Sequence, residues 1–272
     1  MSQPIVVGSE AHKQLLCQFF TATHVPFAPE EVCWPEIDAE SLVRLRSLPF
    51  WADAVATERQ TACTIRTWAA HETDPLLREA VALQAYEEAR HAALLYSLTT
   101  HYGIPLPPLS TPQPPADPEW AFLCTGYSEC FDTFFSFALL AIAQASGFFP
   151  SGLVALFEPI MQEEARHILF FVNWEAYQQA HRPLWQWPRS LWRGVLGRGL
   201  QVWYRLQMAR GMPASGDFTL TGHHTMQSTL TPRGFLELCL QENARRLSGY
   251  DARLIRPRLV PAVAQALCRV LP

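Results

Sequence analysis

Along most of the chain, apolar residues recur every three or four positions, and proline-rich or acid-capped breaks interrupt the pattern. That period marks helices with one buried stripe. It predicts four long helices, at about 50–71, 75–102, 117–147 and 151–181. Their starts carry capping signals. Asp74-Pro75 and Asp117-Pro118 each set a carboxylate before a proline suited to a first turn, and Ser151 follows Pro150. A shorter helix is expected near 9–20, inside a mixed segment that runs to residue 48 and reads as an arm over the core. Two more are expected at 234–247 and 258–270. The expected fold class is all-α.

The connections narrow the topology. Helices one and two are separated by a few residues, as are three and four, and short loops make antiparallel neighbours. Between two and three lies IPLPPLSTPQPPADP, residues 104–118, with six prolines before Asp117. A proline-rich segment rises ~3.1 Å per residue, so it reaches roughly 45 Å. A helix of about 25 residues is ~38 Å long. The linker can therefore run the length of a bundle, and two hairpins joined by one long crossover is the ferritin-like arrangement. The expected organisation is an arm over 1–48, a four-helix bundle over 49–181 and a helical extension over 182–272.

Residues 133–149 are almost wholly apolar, yet they are short for a membrane span and Ser136, Gln144 and Ser146 interrupt them. A helix buried on all sides reads the same way, and that is the expectation here. The 272 residues are 49% hydrophobic with a net charge of −4, which argues against a nucleic-acid partner. Lys13 is the only lysine among the basic residues, a bias that suggests a GC-rich bacterial genome. Seven cysteines without a C-x-x-C spacing argue against a disulfide framework or a zinc ribbon. The first residues lack the pattern of a secretory signal, so the cytoplasm is expected.

One pentapeptide occurs twice. Glu87-Glu88-Ala89-Arg90-His91 falls in the second predicted helix, and Glu163-Glu164-Ala165-Arg166-His167 in the fourth. Residues i and i+3 share a helix face, so Glu88 with His91, and Glu164 with His167, can each grip one ion. A lone glutamate precedes each motif at a similar distance: Glu58 stands 30 residues before Glu88, and Glu129 stands 35 before Glu164. Antiparallel pairing would bring these side by side. Four carboxylates and two imidazoles with apolar flanks need a cation, because unpaired buried charge is costly. The donors suit iron, manganese or zinc.

The doubled E-E-A-R-H resembles the paired motif of the O2-activating di-iron carboxylate proteins: the multicomponent monooxygenase hydroxylases, the acyl-carrier-protein desaturases and the radical-generating ribonucleotide reductase subunit. The resemblance covers residues 50–181. It implies a ferritin-like fold holding two iron ions, with a mixed manganese/iron or di-manganese pair also admitted. It implies that Glu88 and Glu164 bridge the ions, Glu58 and His91 complete one, and Glu129 and His167 complete the other. Glu87 and Glu163 would hydrogen-bond the histidine of the opposite motif, and Arg90 and Arg166 would neutralise those outer carboxylates.

The hydroxylases place a threonine one turn after the third glutamate, and Thr133 stands at that spacing from Glu129. The radical subunit's tyrosine has no counterpart, since Leu95 occupies its position, and Ile160 stands where the arylamine oxygenases add a histidine. Phe131, Phe134, Phe135 and Phe137 around Thr133 are either core or pocket wall. The expected activity is an O2-dependent oxidation of a small, mostly apolar or aromatic substrate. Electrons would come from a reductase or ferredoxin, and a homodimer is admitted. The rival is a metal-holding or oxidant-scavenging protein with no organic substrate.

Residues 182–210 carry six arginines and four tryptophans with no acid. The plain reading is a helix packed on the bundle with its arginines in solvent. A docking face for an acidic partner and a membrane-surface helix are the others. Gly194, Gly197 and Gly199 follow no strand pattern and so do not form a nucleotide loop. His223-His224 reads as loop surface.

Overall fold

The computed structural model describes residues 5–209 and 230–272. Every regular element among them is helical. Four long helices carry the centre of the molecule: α3 (Trp51–His71), α4 (Pro75–His101), α5 (Pro118–Ser146) and α7 (Glu158–His181). Before them come α1 (Glu10–Ala22) and α2 (Ala39–Ser47), and α6 (Ser151–Ala155) precedes α7. After them come α8 (Trp187–Ala209), α9 (Pro232–Leu247) and α10 (Leu259–Cys268). Most of the polar stretch 215–232, with His223 and His224, lies outside the described residues.

Local chemistry sets the starts. Asp74 accepts from the backbone N–H groups of Leu76 and Leu77, and Asp117 from that of Trp120, each with a proline at the first helical position. Thr231-Pro232 repeats the device at α9. One break departs from expectation. The stretch 151–181 divides into α6 and α7, and the cause is Pro159, which lacks an N–H and whose ring collides with the carbonyl four residues back. That residue is Ala155, where α6 ends. The nine-residue α2 also departs from the reading of 1–48 as an arm with one helix; Asp38 caps it.

Helix α3 packs on α4 and α5, and α7 packs on α5 and α4, so the four close on one another. The core is in two main parts along their length. One end gathers Phe20, Ile65, Leu77, Phe122, Phe170 and Trp174. The other gathers Leu48, Trp51, Leu98, Tyr102, Leu140 and Leu153. The chain between α4 and α5 lies along α3, where Gln60 and Gln113 exchange hydrogen bonds of 2.9 and 3.1 Å. Close approach of α5 to α7 depends on Gly126, because a Cβ there would lie 2.2 Å from the Phe171 ring. Gly126→Ala is expected to destabilise the protein by about 1–3 kcal/mol through overpacking, read as a lower denaturation midpoint at unchanged slope.

Helix α8 packs on α5 with its polarity reversed from the plain reading. Three of its arginines reach acids on or capping the long helices, Arg193 to Asp117 and Glu119, Arg198 to Glu175 and Arg205 to Asp132, while Arg189 stays exposed. Gly197 lets it settle on Tyr127, whose ring a Cβ would meet at 2.7 Å. Leu191, Trp192, Val195 and Trp203 face outward. The phenylalanines of α5 are core. Phe131, Phe134 and Phe135 pack with α9 and α10, and Phe137 packs beside Leu247. No helix of the described residues is long and apolar enough to cross a membrane.

Candidate metal centre

Between the two halves of the core, six side chains converge from four helices. Helix α3 supplies Glu58, α4 supplies Glu88 and His91, α5 supplies Glu129, and α7 supplies Glu164 and His167. The 3.6-residue turn puts each Glu-x-x-His pair on one face, and the packing turns those faces toward one another. Nδ1 of His91 lies 3.3 Å from Glu164, 3.7 Å from Glu58 and 3.9 Å from Glu88. Nδ1 of His167 lies 2.9 Å from Glu88 and 4.0 Å from Glu164. The donors form two groups, one of Glu58, Glu88, His91 and Glu164, the other of Glu88, Glu129 and His167, with Glu88 common to both.

Both imidazoles are held from behind. His91 Nε2 contacts Glu163 at 2.8 Å and His167 Nε2 contacts Glu87 at 2.8 Å, so each ring is oriented by a carboxylate from the opposite motif. Arg90 pairs with Glu163, and Arg166 donates to Glu87 at 2.7 Å. Charged groups at this depth are kept only when paired. With Nε2 engaged, Nδ1 of each ring faces the inner carboxylates as a free donor atom to metal.

The electrostatics of this cluster favour a cation among the donors. Burial pushes the Glu58 carboxyl up to about 8. Burial, then the neighbouring Glu88 and Glu164 carboxylates, raise Glu129 well above the usual range. Burial opposes charge on His91 and His167, yet the surrounding carboxylates raise both well above an ordinary imidazole. Burial would raise Glu87 too, but His167 and Arg166 hold it down to about 2. Burial would raise Glu88 as well, but His167, then His91, hold it low. Four buried side-chain atoms here make no hydrogen bond of good geometry: Glu88 Oε1, Glu129 Oε1, His91 Nδ1 and His167 Nδ1, although Glu88 Oε1 and His167 Nδ1 lie 2.9 Å apart. Unsatisfied buried polar atoms are costly, and four that converge fit a shared cation. The buried Glu/His cluster could hold a metal ion.

Three residues that sequence reasoning missed support the cluster. Gln84, one turn before Glu88, donates to Glu129 at 3.3 Å; its spacing was a readable signal. His24 contacts Glu87, and Thr23 accepts from Arg166 at 2.8 Å. Those come from the end of α1 and carry no local signal. His24, Glu87 and Glu163 also form a possible donor group, but Arg166 and Arg90 already neutralise its two acids.

A cavity of ≈ 480 Å³ opens onto Glu58, Glu88, His91, Glu129 and Glu164. Thr133 lines it and donates to Glu164 at 3.2 Å. Leu95 and Ile160 line it as well, whereas Tyr96 is on the surface. No family model matches the chain, and neither a curated protein nor a solved structure matches it.

Proposed function

We propose that the chain is a ferritin-like di-iron carboxylate oxidase or oxygenase that activates O2 against a small, mostly apolar substrate. The observation that carries the reading is the cavity: ≈ 480 Å³ of largely apolar wall ending on the inner carboxylates. A pocket of that size suits an organic molecule, and metal storage or oxidant scavenging requires none.

Glu58, Glu88, His91, Glu129, Glu164 and His167 would hold two iron ions. A reduced iron pair, once bound, supplies electrons for dioxygen reduction, and a reductase must then restore them. The protein's own groups do the rest. Glu163 and Glu87 fix the tautomer and direction of the two imidazoles. Thr133 holds a proton at Oγ1 on the cavity wall and keeps the Glu164 carboxylate in one orientation. The apolar wall excludes water and strengthens every electrostatic interaction inside.

Filling the cavity away from the donors tests this. Ala143 lines its apolar end, remote from the six ligands. Ala143→Phe is expected to retain wild-type iron content but to lose stimulation of O2 uptake by apolar compounds, by about tenfold or more. Uptake traces of the reduced protein that are the same with and without organic compounds, and the same in the variant, would favour the scavenger.

A further inference from the structure

Helix α8 sends three of its arginines to the bundle and leaves an apolar face outward. One residue on that face has no explanation inside the protomer. Leu191, Trp192, Val195, Leu196, Val202 and Trp203 are all exposed, Trp192 by 65% and Val195 by 66%. At about 3.6 residues per turn they share one side of the helix, and Gly199, also exposed, lies at the middle of that side. Arg189 stands at its edge, and no acid lies on it among the described residues.

The size of the face is unusual. With the neighbouring Leu184 and Trp185, each 78% exposed, these side chains present on the order of 900 Å² to solvent. The largest apolar patch on a typical monomer is about 300–600 Å². One side of a standard protein–protein interface buries about 800 Å². The face therefore exceeds an ordinary monomer surface and matches one half of a stable interface.

The glycines of α8 carry a second observation. A Cβ at Gly197 would meet the Tyr127 ring at 2.7 Å, and one at Gly194 would meet the Arg198 guanidinium at 2.9 Å. Packing within the chain accounts for both. A Cβ at Gly199 would meet nothing within 4 Å. Glycine weakens a helix interior relative to alanine, so at Gly199 it is a cost to the isolated protomer. What it permits is the close approach of another backbone.

Charge and symmetry choose the occupant. A helix lying on a membrane carries a strongly basic face toward the headgroups, and an acidic protein would need free cations. Here Arg193, Arg198 and Arg205 are committed to acids of the same chain, and Arg182 pairs with Glu119. Gly199 sits close to the middle of α8, so a two-fold axis passing there lays the face against itself. In that antiparallel pairing Val195, four residues before the axis, meets the partner's Trp203, four residues after it. The two copies of Arg189 stay about 30 Å apart, so like charges do not meet.

We propose that the outward face of α8 is an interface between two copies of this chain, antiparallel and crossing at Gly199.

Sedimentation velocity of the full-length protein at micromolar concentration tests this. The wild type is expected to sediment as a dimer. Gly199→Leu should raise the dissociation constant about a hundredfold or more, because the added side chain wedges the two helices apart. Its helical circular dichroism should be unchanged, since the protomer has room for that side chain. Val195→Glu alone and Trp203→Arg alone should each be monomeric. Their equimolar mixture should sediment as a dimer, because the acid introduced on one chain then meets the base introduced on the other. A monomeric wild type, a dimer that survives Gly199→Leu, or a mixture no more associated than its parts overturns the proposal. So does a monomer that binds phosphatidylglycerol vesicles and loses that binding on Trp192→Ser and Trp203→Ser substitution, which would assign the face to a lipid surface.

Discussion

Glu88→Ala is expected to empty the centre of metal altogether, from about two ions per chain to a small fraction of one. Glu88 is the donor common to both groups around the histidines, so its loss removes a ligand from each. The change also strips the nearest carboxylate from His167 Nδ1, 2.9 Å away. Replacing one outer carboxylate is the graded comparison. Glu163→Gln keeps the six inner donors but exchanges the charged partner of His91 for a neutral amide. Loss of such a partner typically costs 10–100-fold in metal affinity, so at modest metal excess this variant should still load. Metal analysis of both proteins from one purification decides the matter. Glu88→Ala retaining its full complement would show that the cluster is not the metal site.

Stripping the metal should lower stability, and the loss should grow as pH rises. The sign follows from the carboxyls and imidazoles of the centre. Glu58 is raised from its ordinary 4.5 to about 8 by burial. The metal-free folded chain therefore binds more protons than the unfolded chain across that window, and stability falls as pH climbs through it. His91 and His167, raised well above 6.5, contribute stability below that value that is lost as pH climbs through their folded values. All three act in the same direction. With metal bound the protons are displaced, and the dependence should flatten. Between about pH 5.5 and about pH 8, the melting temperature of the chelated protein should fall by the order of 5–10 °C relative to the loaded protein. Parallel melting curves across that range would mean that the cluster is solvated.

What could be read without coordinates follows from how far each contact reaches along the chain. The Glu-x-x-His pairs were legible because the helical period alone sets which residues share a face. The caps at Asp74 and Asp117 were legible for the same reason: cap and orphan N–H are neighbours. Among contacts between distant segments, those within the doubled motif were foreseen through its resemblance, and others were not. His24 meets Glu87 across 63 residues, and nothing near His24 announces it. A pocket beside Thr133 was considered, but its wall was not legible, because much of it comes from the short helices α2 and α6, through residues such as Leu45 and Leu153. The phenylalanines of α5 were ambiguous because either side of that helix could have been the covered one, and α9 and α10 decided it. Helix α8 showed its composition but not its facing, which depends on acids at Asp117, Asp132 and Glu175 far back in the chain.

The outer carboxylates are exchanged between the halves of the molecule. His91 on α4 is steered by Glu163 on α7, and His167 on α7 by Glu87 on α4. Neither half can aim its own histidine. A nascent chain that has made α3 and α4 alone carries three of the six donors but leaves His91 free to rotate, so it offers an ion little beyond what an unfolded segment offers. Slippage of one half against the other by a single turn would break both steering contacts and both arginine pairs at once. Any metal uptake at this cluster would thereby be tied to completion of the tertiary structure, and partly built or misregistered chains would be left unmetallated.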